Sequence, residues 1–155
     1  MIIETYDHRN GMKIVPQDII EKTQAIFTEY ENKLTKNNVS LVKEDLKNQL
    51  LIEGWSGEYR LDSESKITIT SFQKNIGLCF QTGNVGRVYA DLLKLQTLFV
   101  KGNIAAGILL LPKRCMTKVF GSNCASYERL LKELPIFSQV ITMPLVVIGF
   151  EEVEE

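Results

Sequence analysis

Residues 67–96, ITITSFQKNIGLCFQTGNVGRVYADLLKLQ, limit the fold of this chain more than any other stretch. Ile67-Thr68-Ile69-Thr70 alternates apolar and hydroxyl side chains and is β-branched throughout, which predicts a strand. Lys74-Asn75 is a turn dipeptide, so Ile76 to Gln81 is expected to return as the second strand of a hairpin. Gly83-Asn84 closes that strand. The period then changes. Val88, Leu92, Leu95 and Phe99 fall on one helical face, and Gly102 marks the stop of a helix over Val85 to Val100. A hairpin that runs straight into an amphipathic helix excludes all-α and all-β architectures. It calls for a sheet covered by helices.

The flanks extend the same pattern. Ile2 to Tyr6 reads as an edge strand ending in the turn Asn10-Gly11. Pro16 suits the first turn of a helix, and Ile19, Ile20, Ile26, Phe27, Tyr30 and Leu34 predict that helix as far as Leu34. Ser40 is the expected N-cap of a second helix burying Val42, Leu46 and Leu50, with Gly54 at its end. Ile104 to Leu111 is apolar without alternation, as a strand buried on both faces is. Tyr127, Leu130, Leu131 and Leu134 predict another helix, capped by Asn123 or Ser126, and Leu145 to Phe150 a final strand. The expectation is one α/β domain over residues 1–155: a mixed central sheet, the Ile67–Gln81 hairpin at its middle, helices on both faces.

At 155 residues, with 45% apolar and 24% charged side chains, the chain can bury a core without disulfides. No apolar run approaches the roughly 18 residues of a membrane-spanning helix. The opening MIIETYDHRNG lacks the basic flank and apolar stretch of a signal peptide, so a cytoplasmic location is expected. Cys79, Cys115 and Cys124 are odd in number and lack zinc-ligand spacing, which favours free thiols. His8 is the single histidine, and this nearly excludes a histidine-rich metal site.

Net charge is −1, but it is unevenly distributed. Between Val85 and Leu134 stand eight basic residues (Arg87, Lys94, Lys101, Lys113, Arg114, Lys118, Arg129, Lys132) against three acids (Asp91, Glu128, Glu133). The ending EEVEE is acidic. A polyanion footprint and ordinary solvated helix faces explain the basic segment equally well.

A set of landmarks in fixed order resembles a known family. They are Gly54-Trp55, the strand ending in Gln81, Gly83-Asn84, Tyr89-Ala90-Asp91-Leu92-Leu93-Lys94-Leu95-Gln96, the apolar strand ending in Pro112, Gly121-Ser122-Asn123 with Tyr127-Glu128-Arg129, and the closing strand near Pro144 to Gly149. Together with Tyr6 to Gly11 they make most of the chain similar to the BglII/BstYI group of type II restriction endonucleases, within the PD-(D/E)XK nuclease superfamily. The resemblance implies a restriction-endonuclease-like fold, double-stranded DNA as partner, a homodimer, and phosphodiester hydrolysis with Mg²⁺ as cofactor. The group's metal motif is an Asp, a Glu nine residues later, and a Gln two residues after that. Here Gln81 matches the Gln, the Glu position falls on Cys79 and the Asp position on Thr70. Mg²⁺ is a hard cation that prefers charged oxygen ligands, so a hydroxyl and a thiol are poor replacements.

The resemblance therefore implies DNA binding with cleavage lost or impaired. Arg87, Lys94, Lys113, Arg114, Lys118, Ser122 and Asn123 are the expected DNA contacts. Two other readings remain. Displaced acids among Glu58, Asp62, Glu64 and Asp91 would restore a metal site, leaving an active endodeoxyribonuclease. Alternatively the chain is an interaction protein without DNA. Cys79 is more simply a packed core thiol than a nucleophile, and Arg87, Asp91 and Lys94 also read as a surface ion-pair set.

Overall fold

The computed structural model describes residues 1–153, so Glu154 and Glu155 of the acidic ending lie outside the described residues. In chain order the elements are β1 (Ile2–His8), α1 (Gly11–Ile14), α2 (Gln17–Thr28), α3 (Val39–Ile52), β2 (Tyr59–Arg60), β3 (Thr68–Ile69), β4 (Ser71–Gln73), β5 (Ile76–Phe80), α4 (Val85–Val100), β6 (Ala106–Pro112), α5 (Thr117–Phe120), α6 (Tyr127–Glu133) and β7 (Leu145–Glu151). Five strands form one mixed sheet in the order β1-β7-β6-β5-β4. The β5, β6 and β7 strands are parallel, while β1 and β4 pair antiparallel at the two edges.

Side-chain alternation along the central strands divides the core in two. Ile76, Leu78, Phe80, Ile108, Leu110, Val146, Ile148 and Phe150 face α2 and α3. Cys79, Leu109, Leu111, Leu145 and Val147 face α4 and α6. Helices therefore cover both faces, as expected, and the continuous apolar run of β6 is buried along its whole length.

Four expectations are corrected. The hairpin is β4–β5, turned by Lys74 and Asn75, both at positive φ, and it lies at one edge of the sheet rather than at its middle. The central position belongs to β6, whose apolar run has no polar face to leave outside. Thr68-Ile69 leaves the sheet and pairs with Tyr59-Arg60 in a separate two-stranded ribbon. The first long helix stops at Thr28, not Leu34. There the apolar stripe is continued by a loop: Leu34 is buried, but its N–H donates to Glu152 at 2.8 Å, and Tyr30 Oη donates to Asp45 at 2.9 Å. Asn38, not Ser40, stands at the N-terminus of α3.

Candidate active site

The segment that carries the motif is fixed by its surroundings. Gln81 follows β5 directly, and its N–H donates to Leu110 O of β6 at 3.0 Å. Cys79 is paired in register with Leu109. Asn84 then caps α4, its Oδ1 accepting from Arg87 N–H at 3.0 Å. By strand parity Cys79 and Gln81 point to the same side, toward α4.

The three motif positions differ in what they offer. Thr70 lies between β3 and β4, and its Oγ1 accepts from Phe80 N–H at 3.0 Å. Cys79 is 1% exposed within the apolar layer under α4. Burial, and after it the nearby Asp91 charge, pushes its thiol well above the ordinary range, so it is neutral at physiological pH. Gln81 is the polar centre. Its Nε2 donates to Asp91 Oδ2 at 2.6 Å, and its Oε1 accepts from Gly83 N–H at 2.9 Å. Asp91 is itself buried, and Lys94 Nζ approaches its other oxygen at 3.1 Å. The helix periodicity could have revealed this burial, since position 91 lies on the stripe of Val88, Leu92 and Leu95.

Thr70, Gln81, Asp91 and Lys94, but not Cys79, open onto a cleft of about 320 Å³, lined also by Lys47, Ser56, Glu58 and Ser71. Of the acids singled out in the sequence, Glu58 and Asp91 share this cleft. Asp62 and Glu64 sit instead on a separate turn, where Ser65 and Glu64 N–H groups donate to Asp62 and hold its carboxyl below the usual range. Among the described residues no three His, Cys, Asp or Glu side chains converge to hold a metal ion. The donor set at the motif does not fit Mg²⁺. The one carboxylate in contact with Gln81 is already bonded to an amide and an ammonium, and its neighbours on the motif are a hydroxyl and a buried thiol. His8 is no partner for Cys79. It lies on β1, with β7 and β6 between, and its Nε2 bonds the Ile141 carbonyl oxygen at 2.8 Å.

The basic residues are scattered in role. Lys113 is held between Glu4 at 2.7 Å and Glu151 at 2.9 Å, which keeps its ammonium charged to unusually high pH. The Arg114 N–H donates to Glu128 at 2.8 Å. Lys118 and Ser122 line a shallow groove with Lys36, and Asn123 is exposed. Ser126, not Asn123, caps α6. The Arg87 side chain lies across Gly83, where a Cβ would come within 2.7 Å of both Arg87 Cδ and Gln81 Oε1. Sequence reading missed Lys43 and Lys47. They follow each other at i, i+4 on α3, off the Val42, Leu46, Leu50 stripe, and that spacing was the available signal.

The family model described as "Restriction endonuclease BglII/BglIII" matches residues 3–150. Among solved structures the fold resembles restriction endonuclease BglII complexed with a DNA 16-mer, with a TM-score of 0.83 at 13% identity, covering 100% of this chain and 80% of that one. It also resembles free BglII, with a TM-score of 0.73 at 11% identity, covering 100% and 82%. No curated protein matches the chain. No helix among the described residues is long and apolar enough to cross a membrane.

Proposed function

Since the chain belongs to the BglII/BglIII restriction-endonuclease family, we propose that it binds double-stranded DNA on a nuclease fold that no longer hydrolyses it. The observation that carries this reading is the closed contact set of Asp91. Its two oxygens accept from Gln81 and Lys94, so the one carboxylate that touches the motif glutamine is not free to bind a cation. A hard divalent ion gives up tightly held water only for charged oxygens, and here it would have to displace an ammonium first. Phosphate contacts rest on Lys and Arg, so DNA binding does not depend on the lost site.

The test is supercoiled plasmid with Mg²⁺ or Mn²⁺, beside a duplex-binding assay in EDTA. The expected outcome is no nicking and the same duplex affinity with and without metal. Glu58 and Asp91 share one cleft, and this favours an active nuclease as the second reading. Metal-dependent nicking that Gln81→Ala abolishes would establish it.

We also infer a homodimer. Beyond Arg87 in the first turn, the exposed positions of α4 are Gly86, Ala90, Leu93, Thr97 and Val100, a three-four spacing with no charge. Leu93 is 57% and Val100 74% exposed. Beside them, Ile136, Phe137 and Val140 extend the apolar surface, joined to α4 by the Tyr89–Phe137 ring contact at 5.4 Å. Such a seam suits the same helix of a second copy across a two-fold axis. Sedimentation should give a dimer, and Leu93→Glu a monomer of unchanged circular dichroism. A wild-type monomer at high concentration sinks this inference.

A further inference from the structure

Resting on the DNA-binding reading, we propose that Lys36, Lys43, Lys47, Arg87 and Lys118 form one track for the phosphates of duplex DNA, ending at the wall of the former catalytic cleft and independent of metal. Of the two lysines on the cleft wall, Lys94 is held by Asp91, while Lys47 has no carboxylate within ion-pair distance among the described residues. Three cations of the basic segment are also neutralised internally: Lys94 by Asp91, Lys113 by Glu4 and Glu151, Arg129 by Glu133. Among the described residues no carboxylate comes within 4.0 Å of the charged ends of Lys36, Lys43, Lys47, Arg87 or Lys118.

The five are contiguous. Lys36, Lys118 and Ser122 line one groove. Two residues on, Cys124 bridges to Asn84, the residue that caps α4 over Arg87. Lys43 stands one turn before Lys47 on α3 and is within electrostatic reach of Lys47, Arg87 and Cys124. Lys47 then reaches the cleft. Partial burial, then the Lys47 and Arg87 charges, lower the Lys43 pKa. An amine held among cations without an acid is destabilising in the free protein, and an arriving phosphate relieves that repulsion. Arg87 adds to it by standing in the first turn of a 16-residue helix, where the backbone potential is already positive. All five side chains end in point charges or a guanidinium with no base-reading partner in place, so this track positions DNA without selecting sequence.

The experiment uses a short labelled duplex of mixed sequence in EDTA, titrated with the full chain across a salt series. The triple variant Lys43→Gln, Lys47→Gln, Arg87→Gln should bind about 30-fold or more weaker at low salt, with its log K against log salt slope flattened by about 2.7, at about 0.9 per lost phosphate. Lys101→Gln with Lys132→Gln, two exposed cations away from the track, should change affinity less than about threefold. Should the triple variant fail to fold by thermal melting, Lys43→Gln and Lys47→Gln singly should each flatten the slope by about 0.9. An unchanged slope, an equal loss in the Lys101, Lys132 variant, or binding that needs Mg²⁺ overturns the track while the protein still binds DNA. A wild-type chain that binds no duplex at any salt overturns the DNA-binding reading and the track with it.

Discussion

Cys79→Glu, which restores one of the two acids of the family's motif, should destabilise the protein by about 3–5 kcal/mol, the range for a buried charge without a partner. The thiol it replaces is fully enclosed under α4, and the nearest charge is Asp91, of the same sign as the new carboxylate. For a domain of this size the melting temperature should fall by more than about 10 °C. The effect has a definite pH dependence. A carboxyl in that place has its folded pKa raised above its unfolded value of about 4.3, so the penalty is absent below that pH and grows as pH rises. Calorimetry with and without millimolar Mg²⁺ is the decisive measurement. If Mg²⁺ returned the variant to the wild-type melting temperature, a metal cradle would exist beneath α4 that needs only this carboxylate to bind the ion.

Phe150→Ala should cost about as much for a different reason, roughly 3–5 kcal/mol of lost burial and cavity formation. Phe150 is fully buried on the opposite face of the sheet, with ring centroids of Phe27 at 5.0 Å, Phe80 at 5.9 Å and Phe120 at 6.2 Å. It is the one ring that ties α2, β5 and α5 to β7. Urea unfolding should show a lower midpoint with an unchanged slope. Phe120→Ala, at the half-buried rim, should cost clearly less. A loss below about 1 kcal/mol for Phe150→Ala would mean the aromatic cluster is not the anchor of that layer.

Where a segment's periodicity agrees with its burial, the chain was readable in advance. The bounds of α4 came directly from Asn84, the 88-92-95 stripe and Gly102, and β6 came from an uninterrupted apolar run. The last turn of α4 was the exception: Leu98 is fully buried and Phe99 only partly, because position 98 lies two turns beyond the buried Asp91 on the same face. The stretch 29–38 failed because apolar spacing persists through a loop that buries Leu34 in the core and is held there by one hydrogen bond to Glu152, far along the chain. Gly11 was taken as a turn residue, yet what requires it is the Leu145 backbone, 2.4 Å from where a Cβ would sit. At the site, Thr70, Cys79 and Gln81 were legible as positions. Their contacts were not, since Asp91 and Gln81 meet only after α4 folds back on β5. Lys43 and Lys47 went unremarked because Arg87, the cation they join, is forty residues away in sequence.

The pairing of β1 with β7 sets an order of events during synthesis. β1 is made before the other strands described, but β7, its one partner among the described residues of the sheet, comes some 140 residues later. Until β7 leaves the ribosome, β1 is an unsatisfied edge, and so is the far side of β6. Such a delay invites pairing with a neighbouring nascent chain. The strand carries its own protection: Glu4 and Asp7 place charge on a segment that would otherwise be a short apolar template. A ribosome stalled before Leu145 would therefore display a chain that cannot close its sheet, however complete its helices.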